Sequence, residues 1–250
     1  RLWSQRIREA LETDRLVLHA QPVQHLRTGT REYELLVRMV DEHGSLIPPA
    51  EFLGVAERSG LISEIDRWVL RQAVALLARE AARGGELHVA ANISGRTLRD
   101  PSLADFIQRE LREAGVPAAS LALEITETAA ITDMESAAEF MRRLKATGCR
   151  FAIDDFGAGF ASFGYLKHLP IDYVKIDGSF IRNLPNAVSD QHFVRAMVEV
   201  ARGLEVQTVA EFVEDAETLA LLAMMGVDYA QGYVFQRPKP IDEFFAGATA

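Results

Sequence analysis

Two stretches decide the fold: Leu121-Ala-Leu-Glu-Ile-Thr-Glu127 and Phe151-Ala-Ile-Asp-Asp-Phe-Gly157. Each is a short apolar run that closes on acidic residues. Side chains alternate faces along a strand, so Ala122 shares a face with Glu124, and Ala152 with Asp154. Between the two runs, residues 134–147 carry apolar side chains at helical spacing, and Gly148 stands where a helix C-terminal cap belongs. Strand, helix, strand in this order predicts a parallel βα unit.

The pattern repeats in both directions. Strands are predicted at 16–23, 31–40, 87–93, 121–127, 150–156, 173–177, 207–212 and 229–235, with helices at 61–83, 103–114, 134–147, 190–203 and 215–225. Another helix, 4–13, precedes them. Only residues 24–30 separate the first two strands, too few for a crossover helix, so that pair is expected to be antiparallel. The expected class is α/β, a (β/α)8 TIM-like barrel with one antiparallel strand near the start. Residues 1–14 are read as a lead-in helix from an upstream region and 15–250 as the barrel. A doubly wound open sheet fits less well, because no Gly-rich turn follows the first strand.

Composition agrees with one large globular domain: 250 residues, 48% hydrophobic and 25% charged. The net charge of −9 argues against a nucleic-acid polymer as partner. A small anionic ligand would need local positive charge, and a bound metal is its obvious source. Cys149 is the single cysteine, which excludes an internal disulfide and a cysteine-based zinc site. No apolar run approaches the ~18 residues of a membrane span. With no signal peptide visible, the cytoplasm is the expected location. The chain starts at Arg1 and is read as a domain of a longer protein, one that could itself be membrane-attached.

Polar groups punctuate seven of the eight predicted strands, mostly late in each: Glu34 and Arg38, Asn92, Glu124, Asp154 and Asp155, Lys175 and Asp177, Glu211, and Gln231. A lone acid in such a place is commonly a helix cap or a salt-bridged rim residue. Seven strands repeating the placement point to the C-terminal mouth of a barrel, where barrel enzymes carry their active sites. Burying an unpaired carboxylate costs several kcal/mol, so converging acids require cations. Glu34, Glu124, Asp154, Asp155 and Glu211 against Lys175 leave four negative charges, which two divalent ions would neutralise. The donors are oxygens, which suit Mg²⁺ or Mn²⁺. Two hard metals beside a lysine suggest in-line attack of an activated water on a phosphodiester.

Rival readings fit less well. A Schiff-base role for Lys175 needs a neutral amine, whereas the surrounding carboxylates favour ammonium. A purely structural domain leaves the acid set unexplained. Trp3, Trp68, Met224 and Met225 read as packing residues, and His168 as a surface residue at a helix end. Phe235 reads equally as core packing or as a surface for a base.

Several motifs resemble those of the EAL-domain family. Glu34-Leu-Leu-Val-Arg38 is similar to the family's Glu-Ala-Leu-Leu-Arg, Gln21-Pro-Val23 to its Gln-Pro-Ile, and Ala91-Asn-Ile-Ser94 to its Val-Asn-Leu-Ser. Glu124-Ile-Thr-Glu127, Asp154-Asp-Phe-Gly157, Lys175-Ile-Asp177, Val209-Ala-Glu211 and Gln231-Gly-Tyr233 follow in the family's order. The match runs from about residue 5 to about residue 245.

The resemblance implies hydrolysis of cyclic di-GMP to linear pGpG, lowering a bacterial second messenger, with two Mg²⁺ or Mn²⁺ per site. Glu34, Asn92, Glu124 and Asp154 would hold the first metal; Asp154 would bridge to a second, held also by Asp155 and Glu211. Lys175 would orient the attacking water or stabilise phosphate charge. Glu211 is implied as ligand or as general base, and Gln231 as a neighbour of the water. Glu127 would pin a mobile loop, 155–162, near which a homodimer forms. Gln21, Leu36, Arg38, Asp177 and Phe235 are implied as substrate contacts. The chain departs from the pattern at Leu35 (Ala), Ala158 (Thr), Gly178 (Arg) and Phe212 (Gly). The alternative within the family is a weak or inactive receptor that binds the dinucleotide without cutting it.

Overall fold

The computed structural model describes residues 2–159 and 162–245. Eight strands form the barrel: β1 Leu16–His25, β2 Arg31–Val40, β3 Val89–Asn92, β4 Leu121–Thr126, β5 Arg150–Phe156, β6 Tyr173–Ile176, β7 Gln207–Ala210 and β8 Tyr229–Gln231. From β2 to β8 every neighbouring pair is parallel. β1 closes the ring by pairing antiparallel to both β2 and β8. The barrel with its inverted first strand is therefore as the short 24–30 link predicts.

Alternation along the strands separates two kinds of packing. Outward side chains such as Leu35, Leu123, Ile125, Phe151, Ile153 and Val174 are buried under the surrounding helices. Inward side chains stack in layers. Arg150 bonds Glu32 (2.8 Å) and the Tyr173 hydroxyl, which closes the floor. Above it, Ala90, Ala122, Ala152 and Val209 leave the middle narrow. Glu34, Glu124 and Lys175 lie in the layer above these small residues, as pairing along each strand requires.

The helix Leu2–Glu12 is part of the packed domain, with Ile7 and Ala10 buried against helix Pro49–Ser59. Among the described residues, no α-helix joins β5 to β6; the turn of 3₁₀-helix Phe163–His168 lies between them, and His168 is exposed at its end. Among the described residues, no helix is long and apolar enough to cross a membrane.

Three expectations are corrected. The predicted strand 207–212 stops at Ala210, because Phe212 turns into the left-handed region at φ 57°. The predicted strand 229–235 stops at Gln231. There Val213 runs so close to Gly232 that a Cβ would lie 2.1 Å from its carbonyl oxygen. Met224 is not core: it is 85% exposed, because on helix Ala216–Met224 it lies about 200° around from the buried Leu222.

Candidate active site

Glu34, Leu36 and Arg38 alternate along β2 onto one face, and Gln21 of β1 lies opposite Glu34. All four line a cleft of about 490 Å³ at the C-terminal mouth, together with Asp154, Asp155, Glu211 and Gln231. Eight of the residues expected in the site therefore share one cavity.

Strict alternation would turn Asp155 away from Asp154. The sheet register shifts between Ile153 and Phe156, and Asp155 takes a left-handed φ of 54°. Such a bulge re-aims a side chain. It leaves Asp154, Asp155 and Glu211 with carboxylate oxygens all within 4.8 Å of one another. A left-handed non-glycine residue costs on the order of 1 kcal/mol, and Asp tolerates it better than most.

Lys175 is the hub beneath this group. Its side chain is almost wholly buried, and Nζ donates to Glu34 Oε2 (3.1 Å) and to Glu124 Oε1 and Oε2 (3.0 and 2.9 Å). Glu211 Oε1 lies 3.1 Å away. Burial opposes charge on Lys175, but Glu124, Glu34 and Glu211 outweigh it and hold the amine well above its usual range. A neutral Schiff-base lysine is thus disfavoured.

One ammonium is too little for this many acids. Burial, then repulsion from Glu34, pushes the Glu124 carboxyl well above the usual range. Burial pushes Glu211 up as well, against the pull of Lys175. Burial followed by Asp154 pushes Asp155 up to about 6. Glu34 goes the other way: burial opposes its charge, but Lys175, Gln231 and Asn92 hold it below the usual range.

The amides complete the site. Asn92 Nδ2 donates to Glu34 Oε1 at 2.9 Å. Gln231 Nε2 donates to Glu34 Oε2 (2.6 Å) and Gln21 Oε1 (2.9 Å), while Gln231 Oε1 is buried without a hydrogen-bond partner. Buried acceptors seldom stay unpaired, so this oxygen is placed for a donor from outside the chain.

Glu127 opens helix Glu127–Thr132 and is not one of the clustered acids Asp154, Asp155 and Glu211. Its carboxylate accepts from Tyr165 Oη (2.5 Å), Gly157 N (3.4 Å) and Gly159 N (3.3 Å), tying down the segment after β5. Residues 160 and 161 of the expected loop lie outside the described residues.

Two expected substrate contacts fall elsewhere. Asp177 caps the short turn Gly178–Phe180 by accepting from Ser179 N at 3.0 Å. Phe235 packs, partly buried, against the hydrophobic core. Neither is among the described residues lining the cleft. Sequence reading missed Arg182, Glu214, Tyr233 and Pro238, and treated Phe212 only as a substitution, although all five line the cleft. If 229–235 were one strand, Tyr233 and Phe235 would share a face; the turn at Gly232 separates their fates. No local signal marks Arg182, which sits in an irregular connection.

The EAL domain model matches residues 4–238. The cyclic di-GMP phosphodiesterase PdeB of Shewanella oneidensis is 38% identical over 244 residues, covering 97% of this chain and 28% of that protein. The chain thus spans less than a third of that relative's length. Among solved structures, the PaMucR phosphodiesterase in complex with c-di-GMP superposes with a TM-score of 0.92 at 33% identity, covering 98% of this chain and all of that one. The FimX EAL domain from Pseudomonas aeruginosa bound to c-di-GMP gives a TM-score of 0.89 at 34% identity over 95% of this chain and 96% of that one. With a family match across nearly its whole length and its acids gathered at the barrel mouth, this chain belongs to the EAL domain family.

Proposed function

We propose that this domain is a two-metal phosphodiesterase that hydrolyses cyclic di-GMP to linear pGpG. The observation that carries the reading is a charge imbalance: five carboxylates converge on the single ammonium of Lys175. The oxygen-only donors and the orphaned Gln231 Oε1 fit hard divalent cations and their waters. Glu34, Asn92, Glu124 and Asp154 would hold one Mg²⁺ or Mn²⁺, and Asp154, Asp155 and Glu211 a second. Such ions, when bound, polarise a phosphodiester and lower the pKa of water.

The chain's own groups do the rest. Gln231 Oε1 accepts from the attacking water and orients it. Lys175 stays protonated and fixes the carboxylates of Glu34, Glu124 and Glu211 against their mutual repulsion. Arg38, half-buried in the cleft wall, offers its guanidinium fork to a phosphate oxygen. Glu127 keeps Gly157 to Gly159 in place beside Asp155. A homodimer contact near residues 155–162 belongs to the same proposal; specific activity that stays constant across the dimer dissociation range would count against it.

Chromatography of the products tests the reading. Cyclic di-GMP incubated with the domain and Mg²⁺ or Mn²⁺ should give pGpG, and the product should vanish in Glu34→Ala and in chelator. Dinucleotide bound but uncut by the wild type would make the domain a receptor instead.

A further inference from the structure

Two departures from the family pattern, Gly178 and Phe212, 34 residues apart in sequence, meet in space. A Cβ on Gly178 would lie 2.2 Å from Phe212 Cδ2 and 2.9 Å from both Cγ and Cε2. These distances put the ring edge where any other residue at 178 would place its side chain. Phe212 could not sit there beside an Arg, and the bare backbone of Gly178 would leave a gap beside a Gly. The two residues form one unit.

That unit builds a wall of the cleft. The Arg182 guanidinium lies over the Phe212 ring, 4.5 Å from its centroid. With Gly178 at its edge and a cation over one face, Phe212 is still 47% exposed and lines the cleft with Glu211. Phe212 takes a strained left-handed φ of 57° and still leaves about half of itself exposed to the cleft. The neighbouring Tyr233, 51% exposed in the same cleft, repeats the device with Arg237 at 4.4 Å from its ring. Exposed aromatic rings backed by arginine are the surfaces on which bases stack.

We propose that Phe212, seated on Gly178 and backed by Arg182, is a specificity-determining platform on which one purine of the dinucleotide stacks. The inference rests on the cyclic di-GMP reading above. Phe212 acts in binding and touches no reacting atom, so its loss moves KM and spares kcat.

Steady-state kinetics on cyclic di-GMP, with Kd in place of KM if the wild type binds without cutting, provide the test. Phe212→Ala should raise KM about tenfold, in line with the loss of one base stack, with kcat within about twofold. Phe212→Tyr should restore the wild-type KM and Phe212→Leu should not. Gly178→Ala, which displaces the ring, should raise KM as Phe212→Ala does and add nothing in the double variant. An unchanged KM in Phe212→Ala, a fall in kcat alone, or full rescue by Leu would overturn the platform while leaving the phosphodiesterase reading intact. A wild type that neither binds nor cuts the dinucleotide would overturn both.

Discussion

Lys175 shows how one residue organises a site. A charged amine this deep is sustained by the carboxylates around it, and they by it. Breaking a buried ion pair on one side typically costs about 3–5 kcal/mol. Lys175→Met should lower stability to urea by that order in chelator, and Mn²⁺ should recover part of the loss; an unchanged midpoint would remove Lys175 from its organising role. Cys149 makes a separate test of the core. Burial pushes its thiol up to about 11, above the ordinary value of about 8.5. Its contribution to stability is therefore fully present below about pH 8.5 and is lost as pH rises through about 11. At pH 8 the folded protein should resist thiol alkylation and react only after unfolding; rapid labelling of the native protein would contradict this burial. That Glu124 and Asp154 point into the barrel was legible from alternation, which puts them on the faces of Ala122 and Ala152. The joint aim of Asp154 and Asp155 was not, because it depends on a bulge and a left-handed φ that no pattern of apolar residues encodes.

At the scale of elements, the strand ends matter most. Strand starts follow apolar alternation, and β4 and β5 begin within a residue of expectation. The ends of β7 and β8 were overestimated because Phe212 and Tyr233 look like strand residues. Their fate is set by Val213, which donates to Gln231 O (3.0 Å) and accepts from Val234 N (3.0 Å), a tertiary contact. The turn after β5 is the other decisive element. Glu127 replaces sheet hydrogen bonds for Gly157 and Gly159 and pairs with Tyr165, whose hydroxyl burial pushes up further. Glu127→Ala should release this segment: amide exchange at Gly157 and Gly159 should quicken, and turnover should fall by about 100-fold, the order expected for a small misplacement of reacting groups. Melting temperature should move little. Wild-type exchange and turnover in the variant would deny Glu127 its pinning role.

For the whole molecule, the barrel was readable because a parallel βα repeat and one short link leave few topologies open. The small residues beneath the acids also follow from side-chain periodicity, whereas the Arg150–Glu32 floor emerges only in the structure. What the sequence hides is the cleft wall, assembled from connections that lack any period: Arg182, Glu214, Tyr233 and Pro238. A chain of net charge −9 that gathers its acids at one mouth should gain stability from divalent cations. Mg²⁺ at about 100 times its Kd should add about 2.7 kcal/mol per site, read as a raised unfolding midpoint that Na⁺ at equal ionic strength does not reproduce.

The central claim is that the acids around Lys175 are built for two divalent ions. Calorimetric titration of the metal-free domain with Mn²⁺ tests it most directly. Two equivalents per chain should bind in the wild type, and Asp154→Asn, which alters the proposed bridge, should weaken both. No saturable binding, or binding indifferent to Asp154, would contradict the account.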